Sequence, residues 1–279
     1  MVRTLWPYQW KGGKLFDSLA SSLGRVLGYC NICGHLTKFD TSISNHREHV
    51  VCARCGSRNR QRQIAFFLLQ CMGLRSPFAC ISRLHSEKLV WISDTNSSLS
   101  IHLKQSLKER CIISEFIDPD VQSGEIINNI LHVDMCHTHF ANDSLDFILS
   151  GDVLEHMPDH LIALQETYRI LKVGGSHIFT VPFYQHRFTV EKRAVCTDGH
   201  AITHFRKPWM HYDPIRPEGI LVYNVFAPEL LCELEKIGFD VRIEHIFSPW
   251  HGIYGPNGLV IIATKSASPV TKKDVIFSS

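Results

Sequence analysis

The chain lacks several features that mark particular classes of protein. None of its apolar runs reaches the roughly 18 residues that cross a bilayer, and residues 1–13 lack the charged-then-apolar order of a secretory signal. The net charge is only +2, so nothing global calls for nucleic acid or an acidic membrane. Internal repeats are absent as well. We therefore expect a cytoplasmic protein without a transmembrane segment.

Size and composition allow one large core, or one core and a small module, since 44% of the 279 residues are hydrophobic. The predicted organisation is an amphipathic N-terminal segment, a zinc-binding module with its following helix, an α/β domain with an insertion, and a flexible tail; the ranges are 1–28, 29–72, 84–265 (insertion 183–227) and 266–279. Residues 14–27 place their apolar side chains on one helical face. This face predicts packing on the rest of the protein, or else weak peripheral contact with a membrane.

Ten cysteines are unevenly placed along the chain. Cys30 and Cys33 form one CxxC pair, Cys52 and Cys55 form another, and a glycine follows each pair. Two such pairs can supply four thiolates for a tetrahedral Zn²⁺ site, and a closed four-sulfur shell predicts structural rather than catalytic zinc. The alternatives are two disulfides or a redox pair, which the absence of a secretion signal disfavours.

Arginines follow the second pair in the run RNRQRQ at residues 58–63, and Arg47 and Arg54 add to them. The run precedes an apolar stretch, residues 64–72, that predicts a helix. Basic residues at a helix start oppose the helix dipole. Two interpretations stay open: contact with phosphates of RNA or of a phosphorylated substrate, and a solvated helix start.

Residues 147–181 have the pattern of a strand, a helix and a second strand. An apolar run precedes an amphipathic helix after Pro158, Gly174 and Gly175 predict the end of that helix, and another apolar run follows. Two parallel strands joined by a crossover helix place ligands beyond the carboxyl ends of the strands. The side chains expected at that edge are Asp152, Glu155 and His156.

The strings LDFILSGDVLEHMPD at residues 145–159 and YRILKVGG at residues 168–175 resemble the fourth-strand and fifth-strand motifs of class I S-adenosylmethionine (SAM) dependent methyltransferases of the type 11 kind. The resemblance extends more weakly over residues 88–265. YDPIRPEG at residues 212–219 is similar to bacterial relatives with an N-terminal zinc motif. The resemblance implies an α/β fold: a doubly wound, seven-stranded, mostly parallel Rossmann-like sheet with its last strand antiparallel, beside a small zinc-ribbon-like module.

The cofactor that the resemblance implies is SAM, held by the turns that close the first four strands. An acid at the end of the second strand can accept hydrogen bonds from the ribose, and the resemblance places the third-strand acid against adenine and the fourth-strand turn beside the sulfonium. The implied cofactor-binding residues are Ser93, Asp94, Asn96, Glu115, Phe116, Asp134, Met135, Gly151 and Asp152. The chain departs from the pattern at the first turn, because no glycine lies between Gly73 and Gly124.

Methyl transfer requires alignment of the acceptor, and a general base only for a hydroxyl or a protonated amine. Candidate residues for contact with the acceptor cluster in the insertion. They are Tyr184, His186, Arg187, His200, His204, His211, Tyr212 and Asp213. Among them and the fourth-strand motif, His156 and His211 are the predicted catalytic residues. Trp250, His251 and Tyr254, between the last two strands, are expected to border the acceptor.

These observations predict a methyltransferase that acts on a small-molecule or glycan-linked acceptor. One alternative is an RNA base methyltransferase that binds RNA through the zinc module. The other is a non-catalytic, zinc-dependent interaction protein on a degenerate methyltransferase fold, motivated by the missing glycines.

Overall fold

A small antiparallel sheet carries the cysteines. The computed structural model describes residues 24–42, 49–197, 201–212, 216–255 and 258–267. Strands β1 (Arg25–Tyr29), β2 (Leu36–Asp40) and β3 (Val51–Cys52) pair in that order, and helix α1 (Asn59–Cys71) follows. The predicted N-terminal helix is therefore wrong for Val26 and Leu27, which lie in β1; residues 1–23 and the tail from 268 onward lie outside the described residues.

The parallel part of the central sheet is built from alternating strands and helices. Its elements are β4 (Val90–Ile92), α2 (Ser98–Leu107), β5 (Cys111–Ile113), a hairpin of β6 (Ile126–Ile127) and β7 (Ile130–Leu131), β8 (Leu145–Gly151), α3 (His160–Ile170) and β9 (Leu171–Thr180). Strand β4 pairs in parallel with both β5 and β8, and β8 pairs in parallel with β9. Helices cover these strands, which explains why β8 is almost wholly buried and apolar.

The predicted helix stop at Gly174 and Gly175 is wrong. Helix α3 already ends at Ile170, and both glycines lie inside β9. The register between β8 and β9 is irregular there, and Gly174 has a φ of +80°. A Cβ on Gly175 would come within 2.9 Å of the Asp146 carbonyl oxygen, so these glycines serve a bulge in a strand instead of a helix cap.

The predicted insertion forms three short antiparallel pairs. The pairs are β10 (Glu191–Lys192) with β15 (Asn224–Val225), β11 (Ala194–Thr197) with β12 (Ala201–His204), and β13 (Met210–His211) with β14 (Ile220–Leu221). Its last part is tied to the segment after β8, because the Tyr223 amide donates to the Glu155 carbonyl at 2.8 Å and Asn224 Nδ2 donates to the Met157 carbonyl at 2.7 Å. The insertion therefore lies at the carboxyl end of β8.

A hairpin completes the sheet. Helix α4 (Glu229–Ile237) ends at Gly238, whose φ is +119°, and β16 (Phe239–His245) and β17 (Leu259–Lys265) follow. The order is β16-β17-β9-β8-β4-β5, and β17 is antiparallel to β9 as predicted. In the position expected for a seventh strand the structure has a single parallel bridge between Glu115 and His132. The predicted α/β fold class is confirmed, with six strands and this bridge.

One hydrophobic core joins the cysteine-bearing sheet to the large sheet. Ile32 and Phe39 belong to the same buried cluster as Leu68 of α1 and Ile178 and Ile262 of the central sheet. Within the described ranges, no helix combines the length and apolarity needed to cross a membrane.

Candidate active site and metal centre

The two cysteine pairs meet as predicted. The Sγ atoms of Cys30, Cys33, Cys52 and Cys55 all lie within 4.8 Å of one another, and those of Cys30 and Cys55 are 3.8 Å apart. Four sulfurs at about 2.3 Å from one Zn²⁺ in a tetrahedron are separated by about 3.8 Å. The donors therefore fit a closed zinc site.

Each cysteine pair closes a tight backbone turn. The Gly34 amide donates to the Cys30 carbonyl at 2.8 Å, and the Gly56 amide donates to the Cys52 carbonyl at 2.9 Å. Both glycines have a φ above +70°, which a residue with a Cβ adopts only at a cost. The glycine after each pair is thus what lets both thiols of a pair face the same point.

Hydrogen bonding among the four cysteine side chains shifts their pKa values. It raises the pKa of Cys33, whose main partner is Cys30, and lowers the pKa of Cys52, whose main partners are Cys30 and Cys33. A divalent cation would hold all four groups as thiolates.

Arg62 is the buried link between this cluster and the rest of the protein. Its side chain is 0% exposed and donates from Nε to the His251 carbonyl at 2.9 Å, and from Nη2 to the carbonyls of Val50 and Gly252 at 2.7 and 2.8 Å. Nη1 donates to the Ser57 carbonyl. The interpretation that Arg62 contacts phosphates is wrong, because all its donor atoms are buried against the backbone.

Arg60 is also turned inward. Its Nη1 lies 2.5 Å from Asp152 Oδ2 and donates to the Gly151 carbonyl at 3.0 Å. Arg54 and Arg58 are exposed, and Arg47 lies outside the described residues. The expected basic patch is therefore split, with one arginine at the carboxyl end of β8 and another inside the core.

The loop between β16 and β17, whose aromatic residues are predicted to border the acceptor, packs against the cysteine-bearing sheet and the start of α1. Trp250 stacks on Tyr29 with ring centroids 6.2 Å apart. His251 Nε2 donates to the Pro77 carbonyl at 3.1 Å, and the Tyr254 carbonyl accepts from Asn59 Nδ2 at 2.6 Å. These contacts explain the aromatic residues of the loop.

The glycine-poor turn after β4 is stabilised by side chains. Asp94 Oδ1 accepts from the amides of Asn96 and Ser97 at 3.1 and 3.0 Å, and Ser97 caps α2 by accepting from the Ser100 amide. In this fully described stretch no residue from 93 to 97 has a positive φ. Ser93 is tied to the neighbouring strand through its amide, which donates to the Leu149 carbonyl. The turn therefore forms without the glycine that the resemblance led us to expect.

The ends of the second and third predicted strands are joined by the bridge described above. Glu115 is half-buried, and its Oε1 accepts from the Phe116 amide at 3.3 Å. Asp134 Oδ1 accepts from the Cys136 amide at 2.8 Å. Met135 is only 2% exposed and packs in a buried apolar cluster with Trp91 and Ile148 of the central sheet, so its side chain lies mainly in the interior.

A small cavity lies at the carboxyl ends of β4 and β8. Its lining is mixed, with apolar side chains beside a carboxylate and the end of β8: Arg60, Gln61, Ile64, Ile92, Asp94, Leu99, Leu149, Ser150 and Gly151. Asp152 adjoins it with a φ of +58°, and its Oδ1 accepts from Thr180 Oγ1 at 3.0 Å. Of the predicted cofactor residues, Asp94, Gly151 and Asp152 come together here, while Glu115 and Asp134 lie at the neighbouring strand ends.

His156 and His211 lie next to each other, with ring centroids 5.1 Å apart. Glu155 is the third member of the group; its Oε1 lies 3.8 Å from His156 Nε2 and 3.7 Å from His211 Nδ1. The other insertion candidates that the structure describes do not join this group. Tyr184 contacts His186 and Arg187, and His204 and Tyr212 are exposed. His200 and Asp213 lie outside the described residues.

Sequence reasoning missed three residues of this region. The sequence predicts Glu155 at the carboxyl end of the fourth strand but gives it no role. It predicts Arg60 only as part of a basic patch. Arg216, whose Nη2 donates to the Phe116 carbonyl at 2.6 Å, had no assignment. The only signal for Glu155 was its position directly before His156; charged residues that turn inward leave no pattern in a single sequence.

Residues 107–179 match the family model of the methyltransferase domain. This segment runs from the end of α2 into β9 and contains the ends of the second, third and fourth strands. A demethylmenaquinone methyltransferase from Staphylococcus haemolyticus is 41% identical over 51 residues, 18% of this chain and 21% of that relative. The chain thus spans about a fifth of the length of the curated relative it matches. The predicted resemblance to SAM-dependent methyltransferases is confirmed over the matched segment.

Two solved structures are similar to this chain. A SAM-dependent methyltransferase from Methanosarcina mazei is 17% identical, with 67% of this chain and 96% of that chain covered and a TM-score of 0.39. One from Mesorhizobium loti is 13% identical, with 64% and 90% covered and a TM-score of 0.39.

Proposed function

We propose that the protein is a SAM-dependent methyltransferase. The observation that carries the proposal is the match of residues 107–179 to the methyltransferase domain, together with parallel strands β5, β4 and β8, whose carboxyl ends lie side by side. The proposed cofactor contacts are Asp94 and its turn, Glu115, Asp134, Gly151 and Asp152.

The residues at this edge fit the cofactor chemically. Ile92, Leu99 and Leu149 give the cavity apolar walls, and the carboxylate of Asp152 suits a sulfonium cation. In the turn after β4, Thr95 Oγ1 is buried and has no hydrogen-bond partner among the described residues. A buried hydroxyl without a partner costs about 1–3 kcal/mol, and a polar group of the cofactor would satisfy it.

In this proposal SAM supplies a methyl group already activated by positive sulfur. The protein then has to position the acceptor and exclude water, which contributes roughly 7–11 kcal/mol in well-aligned reactions. Helix α1 covers the cavity through Arg60 and Ile64 and so excludes water. His156 and His211 are proposed as the residues that handle a proton of the acceptor. His211 is the more accessible of the two, with 27% of its side chain exposed.

A small-molecule or glycan-linked acceptor is the proposed substrate, and a structural zinc at the four cysteines is part of the same proposal. The inward positions of Arg60 and Arg62 remove two of the arginines on which an RNA substrate depended. Mass spectrometry of metabolite pools after incubation with isotopically labelled SAM tests the acceptor class; label appearing only in added RNA would contradict it.

Calorimetry with SAM on the full chain tests the cofactor site. Glu115→Ala and Asp134→Ala should each weaken binding about 10- to 100-fold, since a charge-assisted hydrogen bond contributes about 1.5–3 kcal/mol. Asp120→Ala is the matched control, because Asp120 is an exposed acid in the loop after β5. This variant should leave the SAM affinity within twofold of the wild type. Unchanged affinity in both test variants would show that the pocket is assigned wrongly.

One observation favours a second candidate, a non-catalytic interaction protein. Arg60 already contacts the Asp152 carboxylate and the Gly151 carbonyl, where the sulfonium is expected. If Arg60 seals the pocket permanently, the wild type will not bind SAM, whereas Arg60→Gln, which removes the contact with Asp152, will bind it. Binding by the wild type excludes this candidate.

A further inference from the structure

A second group of metal-ligating side chains lies apart from the cysteines, where the insertion meets the turn after β8. We propose that Glu155, His156 and His211 bind a first-row divalent cation. Their ligating atoms all lie within 4.8 Å of one another. The site goes beyond the proposed methyl transfer and does not depend on it.

The distances suit three ligands of one ion. Glu155 Oε1 lies 3.8 Å from His156 Nε2 and 3.7 Å from His211 Nδ1, longer than an N–H···O hydrogen bond of about 2.7–3.2 Å. Two ligands that each lie about 2.1 Å from a metal ion, at angles of about 110–120°, are about 3.4–3.6 Å apart. A contraction of a few tenths of an ångström brings each of these two pairs to the separation of metal ligands, and the two histidine nitrogens lie within 4.8 Å of each other.

The orientation of His156 is already that of a ligand. Its Nδ1 lies 2.8 Å from the Leu221 carbonyl oxygen, which only accepts, so Nδ1 carries the proton. Nε2 then presents a lone pair on the side of Glu155. Metal-binding histidines commonly donate their other ring N–H to a carbonyl in this way, which fixes both tautomer and ring.

The supporting elements hold the group from two sides. Glu155 and His156 lie in the 3₁₀ turn Leu154–His156 directly after β8, and His211 lies on β13, which pairs with the strand that carries Leu221. The Tyr223 amide donates to the Glu155 carbonyl at 2.8 Å. The same hairpin thus supplies one ligand and the carbonyl that orients another.

Burial and access also suit a cation. Glu155 is 0% exposed, so its carboxylate is shielded from bulk water, and this shielding strengthens its attraction to a cation. The side chains of His211 and His156 are 27% and 12% exposed, which leaves a route for an ion from the insertion side. Three protein ligands leave positions for water or an acceptor oxygen. A bound cation would occupy His156 and His211, so the proton-handling role proposed for them above applies only to the metal-free protein.

Cobalt(II) binding tests the site, with full-length protein reconstituted with one equivalent of zinc. Thiolates take zinc in preference, whereas two imidazoles and a carboxylate accept cobalt. We expect calorimetry to show one further equivalent of Co²⁺, with visible d–d absorption and no thiolate charge-transfer band. No further equivalent, or a charge-transfer band, overturns the proposal.

Variants assign the ligands. Glu155→Gln and His211→Gln should each weaken Co²⁺ binding at least tenfold, while His204→Gln, an exposed histidine of the same insertion, should leave it within twofold. If His211→Gln weakens Co²⁺ binding less than tenfold, the proposal is overturned. This test holds even if Glu155→Gln fails to fold, because His211 is partly exposed and its substitution should leave the fold intact. SAM affinity measured without cobalt keeps the two proposals separate, because loss of either one leaves the other measurable.

Discussion

The two candidate metal sites differ in how the chain builds them. The four cysteines lie within one short stretch, and the local turns at Gly34 and Gly56 bring them together. Glu155 and His211 come from segments far apart in the chain, joined only when β13 and β14 pair and pack on the turn after β8. A site built from neighbouring residues can be recognised in the sequence from their spacing, whereas a site assembled from distant segments forms only with the whole fold. The comparison also predicts different energetic roles, structural for the cysteines and dispensable for the fold in the second group.

The largest expected effect is loss of the cysteine cluster. Cys30→Ser, or strong chelation, should remove zinc and unfold the protein, because structural zinc contributes on the order of 10 kcal/mol and a domain has only about 5–15 kcal/mol in total. Metal content and circular dichroism measure this. Cys196→Ser, at a half-buried cysteine outside the cluster, is the control and should stay folded. A folded, zinc-loaded Cys30→Ser protein would show that the cysteine cluster is not required for the fold.

Removing the buried guanidinium should have the next largest effect. Arg62→Met leaves the carbonyls of Val50, Ser57, His251 and Gly252 without that donor, and each buried unsatisfied group costs about 1–3 kcal/mol. We expect a loss of about 4 kcal/mol or more in the urea unfolding free energy of the zinc-loaded protein. Exposed Arg54→Met should change it by less than about 0.5 kcal/mol. A loss below about 1 kcal/mol for Arg62→Met would show that the link is not structural.

His177 provides a histidine without a ligand role for comparison. It is 0% exposed, its Nε2 lies 2.8 Å from Ser150 Oγ, and burial lowers its pKa to about 3. Because the pKa is lower in the folded state, the unfolded chain binds the proton first as the pH falls below about 6.5. His177 should therefore cost about 1.4 kcal/mol of stability between pH 7.5 and 5.5, and the loss should continue down to about pH 3.

The measurement is the difference in pH dependence between the wild type and His177→Gln. The variant should lose less stability than the wild type over this interval, whatever its absolute stability. His204→Gln, at an exposed position, should follow the wild-type curve. Parallel curves for the wild type and His177→Gln would contradict the assignment.

The smallest effect on stability is expected at Glu155, in the second candidate metal site. Without added metal, Glu155→Gln should change the unfolding free energy by less than about 1 kcal/mol, because an amide of the same shape replaces a carboxylate that is costly to bury. With Co²⁺ at about 100 times its Kd, the wild type should gain about 2.7 kcal/mol and the variant almost nothing. Global unfolding of metal-free Glu155→Gln would make the second site structural like the first.

Much of the fold could be predicted because its signals are local. The apolar run of β8 and the helix after Pro158 each lie where the pattern predicts them. Gly174 misled the prediction because a glycine with positive φ ends a helix or forms a strand bulge equally well, and only the pairing of β8 with β9 decides between them.

The candidate site was less accessible to prediction. The spacing of the cysteines determines their meeting, and the order of strands and helices predicts that Asp94, Gly151 and Asp152 lie at one edge of the sheet. The inward turn of Arg60 and Arg62 could not be predicted, since their partners are backbone carbonyls and a carboxylate distant in the chain. Backbone carbonyls carry no sequence signal at all.

The buried Arg62 has a practical consequence for anyone trimming this protein. Its guanidinium fastens α1 to the loop before β17, and the apolar side chains beneath belong to one core with the central sheet. A shortened version that starts at residue 84 would leave that face of the sheet bare in water. Crystallographers and enzymologists should therefore expect residues 84–265 to aggregate when expressed alone, and should keep the cysteine-bearing sheet attached.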